Sequence, residues 1–270
     1  MPARHIPWLV AAVLALSEVG APSRADASRP RGRDIPTTVL LNGERTEVRW
    51  SDGDSFRVLS GRHQGRGTRL EGYNTLEAYG PVHRWGDWTP AELYALARSS
   101  AGVAGSREWR CTTTGEVDHY RRLLVDCPDA AEELIRRGHA MAYSIDGPSD
   151  ARLQAAQEDA RRSGAGMWAK GTPRQVVASL HSVEEAGLEG GAAYDRVVDA
   201  RTGEARPQRH DERYRVCEEV CRGEGADRSC MTYVPFEIRY RKRPECLRGT
   251  APRRGRRPPP QASRCGIRPP

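Results

Sequence analysis

Phenylalanine is nearly absent from this chain: two occur among 270 residues, so any aromatic core must rest on six Trp and nine Tyr. Hydrophobic residues make up 37% and charged ones 29%, which permits a folded core of modest size and not a large one. Long apolar runs are lacking as well. The best candidate, from Ile6 to Leu16, is eleven residues long, too short to span a bilayer as a helix, so a membrane span is excluded. No internal repeat is evident. No cysteine stands near the small residues that follow the apolar run, which excludes a lipid anchor at that point.

The start of the chain has another use. Arg4 and His5 precede the apolar run, and Ala25-Asp26-Ala27 follows it. Basic, apolar, then small-x-small is the layout of a secretory signal peptide, expected over residues 1–27 with a linker at 28–35. Export, to the medium or to the periplasm and cell envelope, gives the seven cysteines a meaning. In an oxidising compartment they pair, and an odd count leaves one over. Cys111 and Cys127 flank a hairpin-like stretch and are placed for a cross-strand bridge. Cys217, Cys221, Cys230 and Cys246 form a second group with three possible pairings, and Cys265 is the expected single one. Four-cysteine zinc is the runner-up for that group. Its spacing of three, eight and fifteen intervening residues is a poor match to paired short knuckles.

The net charge of +7 is unevenly placed. Residues 237–270 hold eleven Lys or Arg against two Glu, a local +9 that leaves −2 for residues 1–236. Basicity is therefore a property of the tail. Residues 251–270, rich in Pro and Arg, are expected to be unstructured, with nucleic acid or an anionic envelope polymer as their electrostatic partner.

Between these ends the pattern is α+β. Val39-Leu40-Leu41 runs into Asn42-Gly43, a strong hairpin signal, and Val48-Arg49-Trp50 returns. Ser55–Leu59 and Thr68–Tyr73 read as further strands. Thr89-Pro90-Ala91-Glu92 opens a helix with a Thr cap, Pro at the first position and Glu three residues after the cap. Glu108–Thr113 and His119–Cys127 read as a strand pair. Ala130–Arg137 and Ala151–Arg162 read as helices closed by Gly138 and Gly164. Lys170-Gly171-Thr172-Pro173 looks like a boundary. Beyond it, Asp211–Arg222 is expected to be a helix that sets Cys217 and Cys221 one turn apart. His63, His83 and His119 lack ligand-like spacing and are expected at the surface. Trp85 and Trp88 either anchor their loop to the fold or offer rings to nucleic-acid bases.

Several separated segments carry possible chemistry. Asp52-Gly53-Asp54-Ser55 supplies a carboxylate at a strand start, Arg69 lies on the next strand, and Asn74-Thr75-Leu76-Glu77 closes that strand. Asp118-His119-Tyr120-Arg121-Arg122 follows on the second strand pair. Cutting a phosphodiester needs a cation or guanidinium on the phosphate, a base beside a water and a partner for the leaving oxygen, and these residue types offer all three. In this order they resemble the thermonuclease family (staphylococcal nuclease-like). Its signature runs Asp-Gly-Asp-Thr, Arg, Asp-Thr-Pro-Glu, then Asp-x-Tyr-Gly-Arg. The eight positions from Arg69 to Glu77 match, and Glu132–Ala140 and Gly166–Trp168 resemble its closing helices.

The resemblance covers about residues 36–170. It implies a five-stranded OB-fold β-barrel with about three helices, followed here by a cysteine-containing segment at 171–250. It implies calcium held by Asp54, Asn74 and the Thr75 carbonyl, catalysis by Arg69, Glu77 and Arg122, and nucleotide contact by Tyr120 and Tyr143. The activity implied is hydrolysis of DNA and RNA by a monomer. The alternative is a catalytically weak nucleic-acid-binding or structural module on the same fold. Three positions depart from the family pattern: Asn74 stands for Asp, Leu76 for Pro and Arg121 for Gly.

Overall fold

The computed structural model describes residues 35–185, 193–239, 244, 246 and 247. The expected signal peptide, most of the linker, the basic tail and Cys265 lie outside them.

The chain opens on the expected hairpin. Strands β1 (Ile35–Leu41) and β2 (Glu44–Trp50) pair antiparallel, and the turn between them has φ of 51° at Asn42 and 84° at Gly43. Two left-handed residues match the twist of the strands they join. Burial alternates along β2, with Thr46, Val48 and Trp50 facing inward. Strand β3 (Phe56–Val58) adds to β2 antiparallel, and the Phe56 ring meets Trp50 edge-on at 5.0 Å.

Thr68–Tyr73, read as one strand, is broken by Gly72 at φ 83° into β4 (Thr68–Leu70) and β5 (Tyr73–Thr75). Strand β6 (Val82–Trp85) follows, then helix α1 (Pro90–Ala104), whose Thr89–Glu92 capping box forms as the sequence predicts. The expected strand pair at 108–127 is reduced to two isolated antiparallel bridges, Thr112 to Asp126 and Val117 to Leu123. Its halves are recruited elsewhere: β7 (Arg110–Cys111) lies parallel to β1, and β8 (Leu123–Val125) parallel to β4. Helix α2 (Pro128–Arg136), strand β9 (Ala140–Ala142), paired with β5, and helix α3 (Ala151–Ser163) complete this part. Gly164 closes α3 in the left-handed conformation, as expected.

The architecture is α+β. The ladders form five small sheets, with orders β3-β2-β1-β7, β4-β8 and β5-β9 in this part. A bridge from Arg57 to Gly67 links β3 to the start of β4. Val39, Val48, Trp50, Leu123, Leu134 and Ile135 belong to the core between sheet and helices. Cys111 and Cys127 are disulfide-bonded within that core. Closing a loop of this length, a separation of 16 residues, contributes about 3 kcal/mol in the chain-entropy account. Replacing both cysteines by Ser should lower the unfolding free energy by about 2–5 kcal/mol, read from guanidinium midpoints. An unchanged midpoint would mean that the bridge adds nothing to this core.

Beyond residue 170 the core continues. Strands β10 (Gln175–Ser179), β11 (Tyr194–Asp199) and β12 (Ala205–Arg209) form an antiparallel sheet. Its Val176 and Val198 pack in one cluster with Leu76, Trp85, Met141 and Trp168. The helix expected over Asp211–Arg222 does not form. Cys217 sits at φ 72°, and Glu219–Arg222 is strand β13, antiparallel to β14 (Ser229–Thr232). In that register Cys221 lies opposite Cys230 and bonds to it, while Cys217 bonds to Cys246. Cross-strand pairing overrides the helical spacing of the two cysteines. Strand β14 also pairs with β6, and a short helix α4 (Phe236–Arg239) follows. No helix among the described residues is long and apolar enough to cross a membrane.

Candidate active site

The site is built where the turn before β3 meets the end of β5. At Gly53 an added Cβ would lie 2.6 Å from Thr75 Cγ2 and 2.9 Å from Ser100 Cβ, so only glycine permits this approach. The contact delivers Asp54 to Thr75. Asp54 Oδ2 accepts the Thr75 N–H at 2.7 Å and the Thr75 hydroxyl at 3.0 Å, and the carboxylate is buried. The Tyr73 hydroxyl, donating to Gly53 O at 2.8 Å, ties the same turn to β5.

Arg69 projects from β4 into this corner. Its Nη1 lies 3.0 Å from Asp54 Oδ2, and its Nη2 donates to Asn74 Oδ1 at 2.6 Å. The Tyr143 ring lies 5.7 Å from the guanidinium carbon. Burial works against the Arg69 charge but is outweighed, chiefly by Asp54, so the group is held above its ordinary value. Asn74 is engaged through both ends of its amide, since Nδ2 donates to Thr75 O at 2.8 Å.

Glu77 is half-buried on the loop beyond β5, and three contacts pin that loop. The Glu77 N–H donates to His83 Nε2 at 3.3 Å, Arg98 Nη1 donates to Ala78 O at 3.0 Å, and the Tyr79 hydroxyl donates to Ser51 O at 2.8 Å. Burial raises the Glu77 carboxyl; Arg239, Arg69 and Arg122 oppose the rise and Asp54 adds to it. The same fields act on Asp52, which is driven well above the usual carboxylate range by burial, then by the Asp54 charge, with a smaller contribution from Glu77. Asp52, Asp54 and Glu77 are thus three carboxylates near the half-buried guanidinium of Arg69.

Arg122 stands at the edge. It donates to Asp118 from Nε at 2.7 Å, and its guanidinium carbon lies 5.4 Å from the Tyr120 ring. Arg121, in the tight loop before it, is held at φ 63°, a conformation that favours glycine. Among the sequence-predicted residues, Asp54, Arg69, Asn74 and Thr75 form one bonded cluster, with Tyr143 against it. Arg122 acts on Glu77 through its charge, and the Tyr120 ring lies beside Arg122.

No protein-family model and no curated protein matches the chain.

Several contributors have no mark in the sequence pattern. His83, expected at the surface, is 2% exposed and accepts the Glu77 N–H. It lies on β6, the edge strand that pairs with β14, opposite Met231, so its burial follows from where the fold places that strand and not from its own polarity. Arg239 comes from α4, far along the chain. Asp52 sits inside a motif already singled out, yet only the fold reveals that it is half-buried beside Asp54. Trp85 and Trp88 anchor their loop, both indole N–H groups donating to Met167 O, at 3.2 and 2.9 Å.

Asp54, Asn74 Oδ1 and Thr75 O offer oxygen ligands of the kind a hard cation such as calcium takes, and the Asp52 carboxyl beside them is raised chiefly by burial and then by the Asp54 charge. Asp54 Oδ2 is already paired with Arg69, and Asn74 Oδ1 and Thr75 O already accept hydrogen bonds, so a cation here would have to compete with these contacts. Among the described residues, Glu219, Cys221 and Cys230 also bring possible ligand atoms within 4.8 Å of one another. The Cys221–Cys230 disulfide leaves no thiolate there to bind a metal.

Proposed function

We propose that this protein is an exported, calcium-dependent nuclease of thermonuclease type, hydrolysing phosphodiester bonds of DNA and RNA. The observation that carries the reading is the single cluster made by Asp54, Arg69 and Asn74, drawn from three chain segments, with Glu77 pinned beside it. Arg69 and Arg122 would hold the scissile phosphate and offset the charge that grows on its oxygens during attack. Glu77 would orient the water and take its proton, and burial makes its carboxylate a stronger acceptor. Tyr120 and Tyr143 would line the nucleotide. Calcium, held by Asp54, Asn74 and the Thr75 carbonyl, would supply charge neutralisation at the phosphate.

Two further observations support the family resemblance. Arg121 has positive φ at the position where the family motif has Gly. Isolated bridges from Arg57 to Gly67 and from Thr112 to Asp126 bring β3 to the start of β4 and the end of β7 to the end of β8, neighbours that a small OB-type barrel would require. The three disulfides suit an oxidising compartment.

A second reading, a nucleic-acid-binding or structural module on the same fold, is favoured by the Asn74 amide. It occupies the Thr75 carbonyl and is itself held by Arg69. One experiment separates the two. Cleavage of single-stranded DNA is followed across calcium concentrations and in chelator, for the mature chain and for Asn74→Asp. The nuclease reading expects calcium-dependent cutting with a lower half-saturating calcium concentration in the variant, because a carboxylate restores one charge to the donor set. Folded protein that cuts nothing at any calcium concentration would establish the binding module.

A further inference from the structure

Of the two Phe in the chain, Phe56 is in the core and Phe236 is 52% exposed. Phe236 opens α4 in the cysteine-stapled segment, and its ring stacks on Tyr120 with centroids 6.1 Å apart and planes 15° from parallel. Tyr120 is itself 44% exposed. Guanidinium groups flank the pair: Arg122 lies 5.4 Å from the Tyr120 ring, and Arg239 lies 5.8 Å from the Phe236 ring. The result is a row of Arg122, Tyr120, Phe236 and Arg239, assembled from residues more than a hundred positions apart.

The fold fixes this row in place. Strand β14 adds to β6, the strand that carries His83, and the chain leaves it through Val234, which is buried with Val82, Tyr94 and Leu247. The Phe236 N–H then donates to Glu185 Oε1 at 2.7 Å, and Arg239 Nε donates to Val234 O at 2.9 Å. The Arg239 stem packs over Gly80, three residues past Glu77, so closely that a Cβ there would lie 2.9 Å from its Cγ. The segment therefore ends beside the loop that presents Glu77, with its aromatic ring facing the tyrosine next to Arg122.

We propose that the C-terminal cysteine-stapled segment is part of the substrate site, and that Phe236 forms with Tyr120 a stacking platform for a nucleobase of single-stranded nucleic acid. Every base offers a π-face, so rings between guanidinium planes take single strands with little regard to sequence. This rests on the nuclease reading for its placement beside the phosphate grip, but it requires only binding.

The test uses the full chain in a Glu77→Gln background, which slows cutting, and measures affinity for an oligothymidine by fluorescence anisotropy at fixed salt. Phe236→Ala should raise Kd about 5–150-fold, the loss expected for one stacked base. Phe236→Trp should retain binding, and Val216→Ala, at another exposed apolar residue of the segment, should leave it unchanged. An oligomer of the same length with abasic sugars should bind Phe236→Ala and its parent equally. Equal Kd on oligothymidine, a matching loss on the abasic strand, or no binding by the folded parent would each overturn the platform. Cutting by the wild-type chain with no Phe236 effect would keep the nuclease and discard the platform. Phe236-dependent binding without cutting by the wild-type chain would do the reverse.

Discussion

Replacing Glu77 by Gln should lower the rate of single-stranded DNA cleavage by about 10²–10⁴-fold, with a much smaller change in KM. The substitution keeps the size of the side chain and leaves the backbone N–H to His83 untouched. What disappears is the proton acceptor. Burial raises this carboxyl's affinity for a proton, and three arginines oppose the rise. A loop pinned at Glu77, Ala78 and Tyr79 gives the group a fixed aim, which general-base catalysis needs more than proximity alone. Arg69→Lys is the companion measurement. It preserves the charge beside Asp54 but loses the planar fork that reaches Asp54 and Asn74 together, so activity should fall although the site stays electrically balanced. Glu77→Gln with unimpaired kcat would move the water-activating role to Asp52 or Asp54.

The second large effect is on stability and comes from His83. Its imidazole is buried, accepts the Glu77 N–H through Nε2, and has no hydrogen-bond partner for Nδ1 among the described residues. Burial depresses its pKa from 6.5 to about 3. The folded state therefore refuses a proton that the unfolded state accepts. Stability from this group is complete above 6.5 and is lost progressively as pH falls from 6.5 toward 3. At pH 5 the loss relative to pH 7 is roughly 2 kcal/mol, from 1.36 kcal/mol per unit of pH below the unfolded value. Guanidinium midpoints at pH 7 and pH 5 measure it, with His83→Leu as the reference. Other acid-sensitive groups contribute to both proteins, so the smaller pH dependence expected of His83→Leu isolates this residue. Identical pH dependence would mean that His83 takes up its proton without unfolding the chain. Protonation would also convert Nε2 from acceptor to donor, so the loop that aims Glu77 should loosen in the same pH range.

What could be read from the residues alone obeys local rules. Asn42-Gly43 turns the first hairpin because both positions must take positive φ. Thr89 and Glu92 cap α1 because their side chains can reach each other's backbone within one turn. The interval from Arg69 to Glu77 locates the cluster because two short consecutive strands and one loop leave little freedom between them. Cys111 and Cys127 pair as their flanking of a compact stretch suggests.

Only tertiary structure decided the rest, because the deciding contacts join distant residues. Asp211–Arg222 has helical cysteine spacing, yet β14 recruits its end as a strand and pairs Cys221 with Cys230. His83 looks like a surface residue until β14 covers β6 and removes it from water. Asp52 looks like turn chemistry until burial and the neighbouring Asp54 raise its carboxyl. Phe236 and Arg239 carry no motif at all; their place beside Tyr120 and Gly80 follows from the course of one strand. Turns, caps and motif spacing are set by steric and hydrogen-bond limits within a few residues, which the sequence states directly. Desolvation and charge coupling depend on which distant segments come to lie on top of one another, and no local pattern encodes that.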